Sequence, residues 1–185
     1  MKQIVCVLIL LVGVFIPGTS LSSHEMGGGV EDIDRSEIRE IRADLRHSIA
    51  NLSPLKAELE TLYISMTPAQ PEERYLVMHS GKNIENVQAI YRYADDTLGR
   101  LLLMKPDRIP YYQYLKENQI KDMRGRVQEY LVHLEEAHGE VSNEDALRAI
   151  GQAAETIRSS SELLDRAVEI VEPHSTEKEA PLHHH

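Results

Sequence analysis

Apolar residues recur at alternating spacings of three and four in four separate stretches of this chain of 185 residues. Such spacing places the apolar side chains on one stripe of an α-helix, as in helices that pack side by side. It predicts four helices, over about 34–66, 72–104, 111–138 and 143–172. The fourth stripe consists of Leu147, Ile150, Ala154, Ile157, Ser161, Leu164, Val168 and Val171.

Short, proline-containing or glycine-containing stretches separate the four helices. Pro68 and Pro71 end the first helix, Pro106 and Pro110 end the second, and Gly139 is expected to stop the third. Connections this short place consecutive helices side by side in opposite directions. The sequence therefore predicts an all-α fold, an antiparallel up-down-up-down four-helix bundle over 34–173. Pro54 is expected to bend the first helix without dividing it.

The N-terminus has the order of features of a secretory signal peptide. Lys2 precedes an apolar run from Ile4 to Ile16, and Pro17 to Ser23 supply small and turn-forming residues. The run is shorter than the roughly 20 residues that span a bilayer. Residues 1–22 are therefore predicted to be a cleaved signal peptide, and the protein to be exported to the periplasm or the extracellular space. A flexible Gly-rich linker over 23–33 and a disordered polar tail over 174–185 are expected around the bundle.

Composition excludes several classes of partner and cofactor. Cys6 is the only cysteine and lies inside the predicted signal peptide, so the mature chain has no disulfide, thiolate metal site or covalently attached haem. The net charge is −10, whereas neutralising the phosphates of a nucleic acid needs a basic surface. Nucleic acid is therefore set aside as a partner.

One cluster of side chains has the chemistry of a weak metal site. The expectation is a solvated helix face that binds nothing, and no cofactor is predicted. The alternative is loose binding of Zn²⁺ or Cu²⁺, since His133 and Glu136 are one helical turn apart and His138 is nearby. A haem held without covalent attachment would need an axial ligand such as His79, Met66 or Met123.

Polar residues interrupt the apolar stripes in the middle of the predicted bundle. If they lie at one height, they line a small polar cavity that could take a ligand. The alternative is a locally thin core facing something bulky. The residues of this predicted core polar layer are Ser48, Ser80, Asn83 and Ser161.

The charge is unevenly distributed along the chain. Basic residues and tyrosines concentrate where the second helix ends and the third begins, and this segment is expected to contact an anionic surface, such as phospholipid headgroups or an acidic polymer. Alternatively, the cations stabilise a helix C-terminus or pair with acidic neighbours. If the signal peptide were retained, this segment would face the membrane. The predicted contact residues are Arg100, Lys105, Arg108, Tyr111, Tyr112, Tyr114, Lys116, Lys121 and Arg124.

These features favour an exported, non-enzymatic protein of the cell envelope. No nucleophile, P-loop or metalloprotease motif is present, so catalysis is not expected. The expected partner is an envelope protein or an anionic surface. The alternative is a periplasmic carrier of a small ligand, metal or haem. The pattern leaves the oligomeric state open.

Overall fold

The computed structural model describes residues 34–171, and this part of the chain is 92% helical with no strands. Its four α-helices are α1 (Arg35–Ser65), α2 (Pro71–Leu103), α3 (Ile109–Glu140) and α4 (Glu144–Val171). The prediction of an all-helical fold with four packed helices is confirmed. The predicted signal peptide, the Gly-rich linker over 23–33 and the polar tail lie outside the described residues.

Side-chain contacts show how neighbouring helices run. Between α1 and α2, Arg42 Nε lies 2.7 Å from Asp95 Oδ1, and Gln88 Nε2 donates to the Ile49 carbonyl at 3.1 Å. Later residues of α1 thus meet earlier residues of α2, so the two helices are antiparallel.

The same reasoning applies to α4 and its two neighbours. Arg166 contacts Glu37 near the start of α1, and Arg148 contacts Glu58 further along that helix. Arg124 of α3 lies 3.0 Å from Asp165, and Arg158 lies 2.6 Å from Glu135. These four ion pairs make α4 antiparallel to both α1 and α3.

The diagonal pair α2 and α4 is parallel, and its contact is less extensive than that between adjacent helices. Tyr91 lies against Ser160, and Glu73 lies against Ser142, the same sequence offset in each case. The buried face of α4 is rich in alanine, and small side chains let neighbouring helices pack close to it. Its buried alanines are Ala146, Ala149, Ala153, Ala154 and Ala167.

Side chains cap the N-termini of α1 and α4, whereas α2 and α3 begin with a proline in the first turn and no side-chain cap. Asp34 Oδ1 accepts the backbone N–H of Ser36 at 2.8 Å, and Asn143 Oδ1 accepts that of Ala146 at 3.0 Å. Gly139 does not stop α3, which continues to Glu140, and no described residue has a positive φ. α3 thus ends one residue beyond the predicted stop, without the left-handed glycine conformation that often ends a helix.

Glu73 joins the start of α4 to α2. Its Oε1 accepts hydrogen bonds from the backbone N–H of Ser142 (2.8 Å), from the Ser142 hydroxyl (2.9 Å) and from the backbone N–H of Asn143 (2.6 Å). The backbone N–H of Asn143 is the main reason that the pKa of Glu73 is lowered from its usual 4.5, and burial opposes it. A carboxylate from one helix therefore satisfies donors in the turn that starts another.

Glu73→Gln should lower the free energy of unfolding by about 1 kcal/mol at neutral pH, because charged acceptors make the stronger hydrogen bonds. The folded-state pKa is depressed, so the contribution of Glu73 is present above the unfolded value of 4.5 and is lost as the pH falls through the folded value. Urea unfolding of both proteins between pH 7 and pH 3 measures this. Glu72→Gln, in the same first turn of α2, is the control. A pH-independent difference between wild type and Glu73→Gln would contradict the account.

Candidate interaction surface at the α2–α3 corner

The α2–α3 corner, residues 103–115, exposes an unusual number of large apolar side chains. The exposed fractions are 87% for Leu103, 67% for Tyr111, 71% for Tyr114 and 47% for Leu115. Among residues 34–171 only nine large hydrophobic side chains are exposed, and four of them lie in this short stretch. Clustered exposure of this kind makes the corner a candidate interaction surface.

The path of the backbone explains this exposure. Leu103 is the last residue of α2, and a short 3₁₀ turn over Pro106–Arg108 leads directly into α3. Ile109 and Gln113 are the buried residues of the first turns of α3. Tyr111 and Leu115 are one turn apart on the opposite side of that helix, so they point away from the core.

Two cations of the α2–α3 corner have little or no compensation. Lys105 is exposed and makes no ion pair with any residue of 34–171. Arg108 pairs only with its neighbour Asp107, at 3.6 Å, with both side chains more than two-thirds exposed. An exposed pair of this kind contributes little, so Arg108 remains available to another anion.

The other predicted cations are compensated or distant. Arg100 pairs with Asp96 at 2.9 Å, and Lys121 pairs with Glu117 at 2.7 Å. Arg124 pairs with Asp165 of α4, and it lies about 22 Å along α3 from the start of that helix. The structure therefore does not bring Lys121 and Arg124 to the corner. The alternative reading of the basic segment, pairing with acidic neighbours, applies to these three cations.

Tyr112 and Lys116 face α2 instead of the surface. Lys116 Nζ donates to the Tyr93 hydroxyl at 2.8 Å and lies over the Tyr93 and Tyr112 rings. Burial raises the pKa of Tyr112, and the neighbouring Thr97 hydroxyl opposes the rise. Both residues thus help to hold α3 on α2. The structure therefore places Tyr112 and Lys116 against α2 and apart from the exposed side chains of the corner, and their role in a contact surface remains a prediction.

The start of α1 lies at the same end of the bundle as the corner. Arg35 Nη1 donates to the Leu102 carbonyl at 3.5 Å. Gln113 Nε2 donates to the Ile170 carbonyl at 2.7 Å, so the end of α4 is there too. The chain therefore enters and leaves the described bundle beside the α2–α3 corner.

The predicted metal ligands do not converge. His133, Glu136 and His138 are all exposed on α3, and the His138 ring lies over Gly151 of α4, where a Cβ would come within 2.9 Å of its Nε2. Within residues 34–171 no group of three or more histidine, cysteine or acidic side chains is arranged to hold a metal. The metal site remains a prediction. His79, one of the possible haem ligands, is exposed and stacks near Tyr75 with ring centroids 4.0 Å apart.

The predicted core polar layer is divided along the bundle. Ser48 and Ser80 are buried, whereas Asn83 and Ser161 are half-exposed. Ser48 lies near the level of Gln88, and Ser80 lies beside Gly81, which packs on Leu59. These two levels are about 15 Å apart along α1, so the four residues do not share one cavity.

A different serine of α4 faces the core. Ser160 is 4% exposed, and its Oγ lies 2.8 Å from the hydroxyl of Tyr91, which is fully buried. Burial raises the pKa of Tyr91 to about 12. The expected thin place in the core, facing something bulky, is therefore at Ser160 and not at Ser161, and the bulky residue is Tyr91.

The groove between α1 and α2, far from the corner, is small for a ligand site. Its accessible volume is about 190 Å³, and Leu59, Tyr63, Val77 and Gly81 contribute to its lining. Pockets for small molecules usually measure about 300–1,000 Å³. Transport of a small ligand, metal or haem remains a prediction, and a groove of this size gives it little support.

Within residues 34–171, no helix combines the length and the apolar character needed to cross a membrane. The chain matches no protein-family model, no curated protein and no solved structure.

Proposed function

We propose that this protein is an exported, non-enzymatic four-helix protein that acts by binding a component of the cell envelope through the α2–α3 corner. The observation that carries the proposal is the exposure of Leu103, Tyr111 and Tyr114 beside the cations Lys105 and Arg108.

Burial of these side chains against a partner would supply substantial binding energy. A large apolar side chain contributes about 1.5–3 kcal/mol when it passes from full exposure to full burial. Tyrosine suits such a surface because its ring is apolar and its hydroxyl remains able to form hydrogen bonds. Lys105 and Arg108 would add attraction to an anionic component.

The predicted export of this protein supports a partner in the cell envelope. The apolar run from Ile4 to Ile16 has the composition of a secretory signal. The chain enters the described bundle beside the α2–α3 corner. Whether the signal is removed or retained, the corner is the part of the bundle nearest to the point where the N-terminal segment joins it.

The test is co-sedimentation of the purified protein with envelope fractions of the source organism. The corner variant Lys105→Glu/Tyr111→Ser/Tyr114→Ser should bind at least tenfold more weakly than wild type, because it loses two aromatic contacts and reverses one charge. The control variant Lys82→Glu/Ile64→Ser/Tyr75→Ser makes changes of the same kind at exposed positions in the half of the bundle away from the corner, where Lys82 pairs with Glu85 at 2.8 Å. It should bind as wild type does.

Two results would contradict the proposal. Equal binding of the corner variant and wild type would exclude the α2–α3 corner as the contact surface. Equal weakening by both variants would mean that no particular end of the bundle is responsible. Helical circular dichroism and the melting temperature should be unchanged in both variants, since all six side chains are exposed.

A further inference from the structure

We infer that the envelope component is an anionic phospholipid bilayer, into whose headgroup region the α2–α3 corner inserts Leu103, Tyr111 and Tyr114. This inference rests on the proposed function and names its partner. Lys105 and Arg108 would lie at the level of the lipid phosphates.

The shape of the corner favours a bilayer over a folded protein. Leu103, Tyr111 and Tyr114 are each at least two-thirds exposed, so they stand clear of their own helices. A rigid protein partner would need a matching concavity to bury such side chains. A fluid bilayer deforms around them, and leucine and tyrosine are residues that insert into its interface.

The charges select anionic lipid and an end-on orientation. The whole chain carries a net charge of −10, so an anionic surface repels most of it. Lys105 has no ion pair within 34–171, and Arg108 is held only by Asp107 of the same short turn. Because Asp107 offsets part of this charge, the apolar side chains must supply much of the affinity and the cations the selectivity.

The direction of the chain agrees with this orientation. Arg35, at the start of α1, contacts Leu102 at the edge of the corner. The apolar run from Ile4 to Ile16 is joined to the bundle at that end through a stretch of fewer than 20 residues. If the signal peptide is retained, the N-terminal segment therefore joins the bundle at the end that carries the corner.

The chain contains no tryptophan, so one introduced indole reports its own environment. In the full-length chain, Leu103→Trp places a tryptophan in the corner, and Ile64→Trp places a tryptophan at an exposed position of the opposite end. With vesicles of dioleoylphosphatidylcholine and dioleoylphosphatidylglycerol at 7:3, the emission of Leu103→Trp should shift to the blue. Brominated lipid should quench that emission at least twofold, and the emission of Ile64→Trp should not change.

A second variant separates insertion from any binding by the N-terminal segment. Lys105→Glu/Arg108→Glu in the Leu103→Trp chain should abolish the blue shift even where the protein still sediments with the vesicles. Vesicles of dioleoylphosphatidylcholine alone should give at most one-fifth of the quenching. Equal quenching in neutral and anionic vesicles would overturn the assignment of anionic lipid.

Failure of this inference can be distinguished from failure of the proposed function. If the Leu103→Trp emission does not respond to either vesicle, the bilayer is excluded as the partner. The corner variant can still lose its binding to whole envelope fractions in that case, and the function then stands with another partner. If the corner variant also binds envelope fractions as wild type does, both the bilayer inference and the proposed function are excluded.

Discussion

Tyr91→Ala is expected to lower the free energy of unfolding by about 3–5 kcal/mol, the range for removing a large aromatic side chain from a packed core. Tyr91 is fully buried on α2, and it fills the space opposite Ser160 of α4. Removal of the ring leaves a cavity between the packed helices. The surrounding helices relax only partly into this cavity, so most of the contacts that the ring made are not replaced. Urea or guanidinium unfolding followed by circular dichroism at 222 nm measures the loss.

Tyr91→Phe separates the contribution of the ring from that of the hydroxyl. The ring remains and only the 2.8 Å hydrogen bond to Ser160 Oγ is lost, so the expected loss is about 1 kcal/mol. The Ser160 hydroxyl keeps the Thr156 carbonyl as a partner at 2.7 Å, which limits the cost. Equal losses for Tyr91→Phe and Tyr91→Ala would show that the hydroxyl, not packing of the ring, makes the main contribution.

Ser160→Leu is expected to lower the free energy of unfolding by about 1–3 kcal/mol, because the added methylenes meet the Tyr91 ring in a filled core. Ser161→Leu is the matched control, one residue further along α4. Its side chain is half-exposed, so the expected change is within about 0.5 kcal/mol. Thermal and chemical unfolding of the two variants compares them directly. A larger loss for Ser161→Leu would mean that the sequence pattern, and not the structure, has the correct face of α4.

The two substitutions should not be additive. In Tyr91→Ala/Ser160→Leu the leucine occupies part of the cavity left by the tyrosine ring, so the double variant should lose less than the sum of the two single losses. Additive losses would mean that Tyr91 and Ser160 do not share one space in the core.

The apolar pattern of α4 does not determine whether Ser160 or Ser161 is buried. Between Ile157 and Leu164, a spacing of four then three selects Ser161, and a spacing of three then four selects Ser160. Both choices obey the pattern, since both positions lie near the apolar side of the helix. The structure selects Ser160 because that residue is opposite Tyr91 in the parallel pair of α2 and α4.

At the α2–α3 corner, the sequence shows which residues are basic or aromatic but not all of their ion pairs or their exposure. The excess of basic residues between Arg100 and Arg126 is visible in the sequence, and so are its tyrosines. The pairing of Arg100 with Asp96 follows from their spacing of four on one helix, but the pairing of Arg124 with Asp165 does not, because Asp165 belongs to another helix. Exposure separates Tyr111 and Tyr114 from Tyr112, which packs toward α2. Of the predicted cations, Lys105 and Arg108 therefore remain candidates for the surface of the corner. The structure adds Leu103 and Leu115, which the sequence analysis did not include.

The sequence by itself determined that this chain forms four helices and which residues form most of their apolar faces, because helical periodicity and chain breakers act over a few neighbouring residues. The tertiary structure alone decided which serine of α4 meets Tyr91, which cations find carboxylates and which apolar side chains remain in solvent. Each of these depends on contacts between residues distant in the chain, whose energies are set by distance and burial and not by sequence spacing.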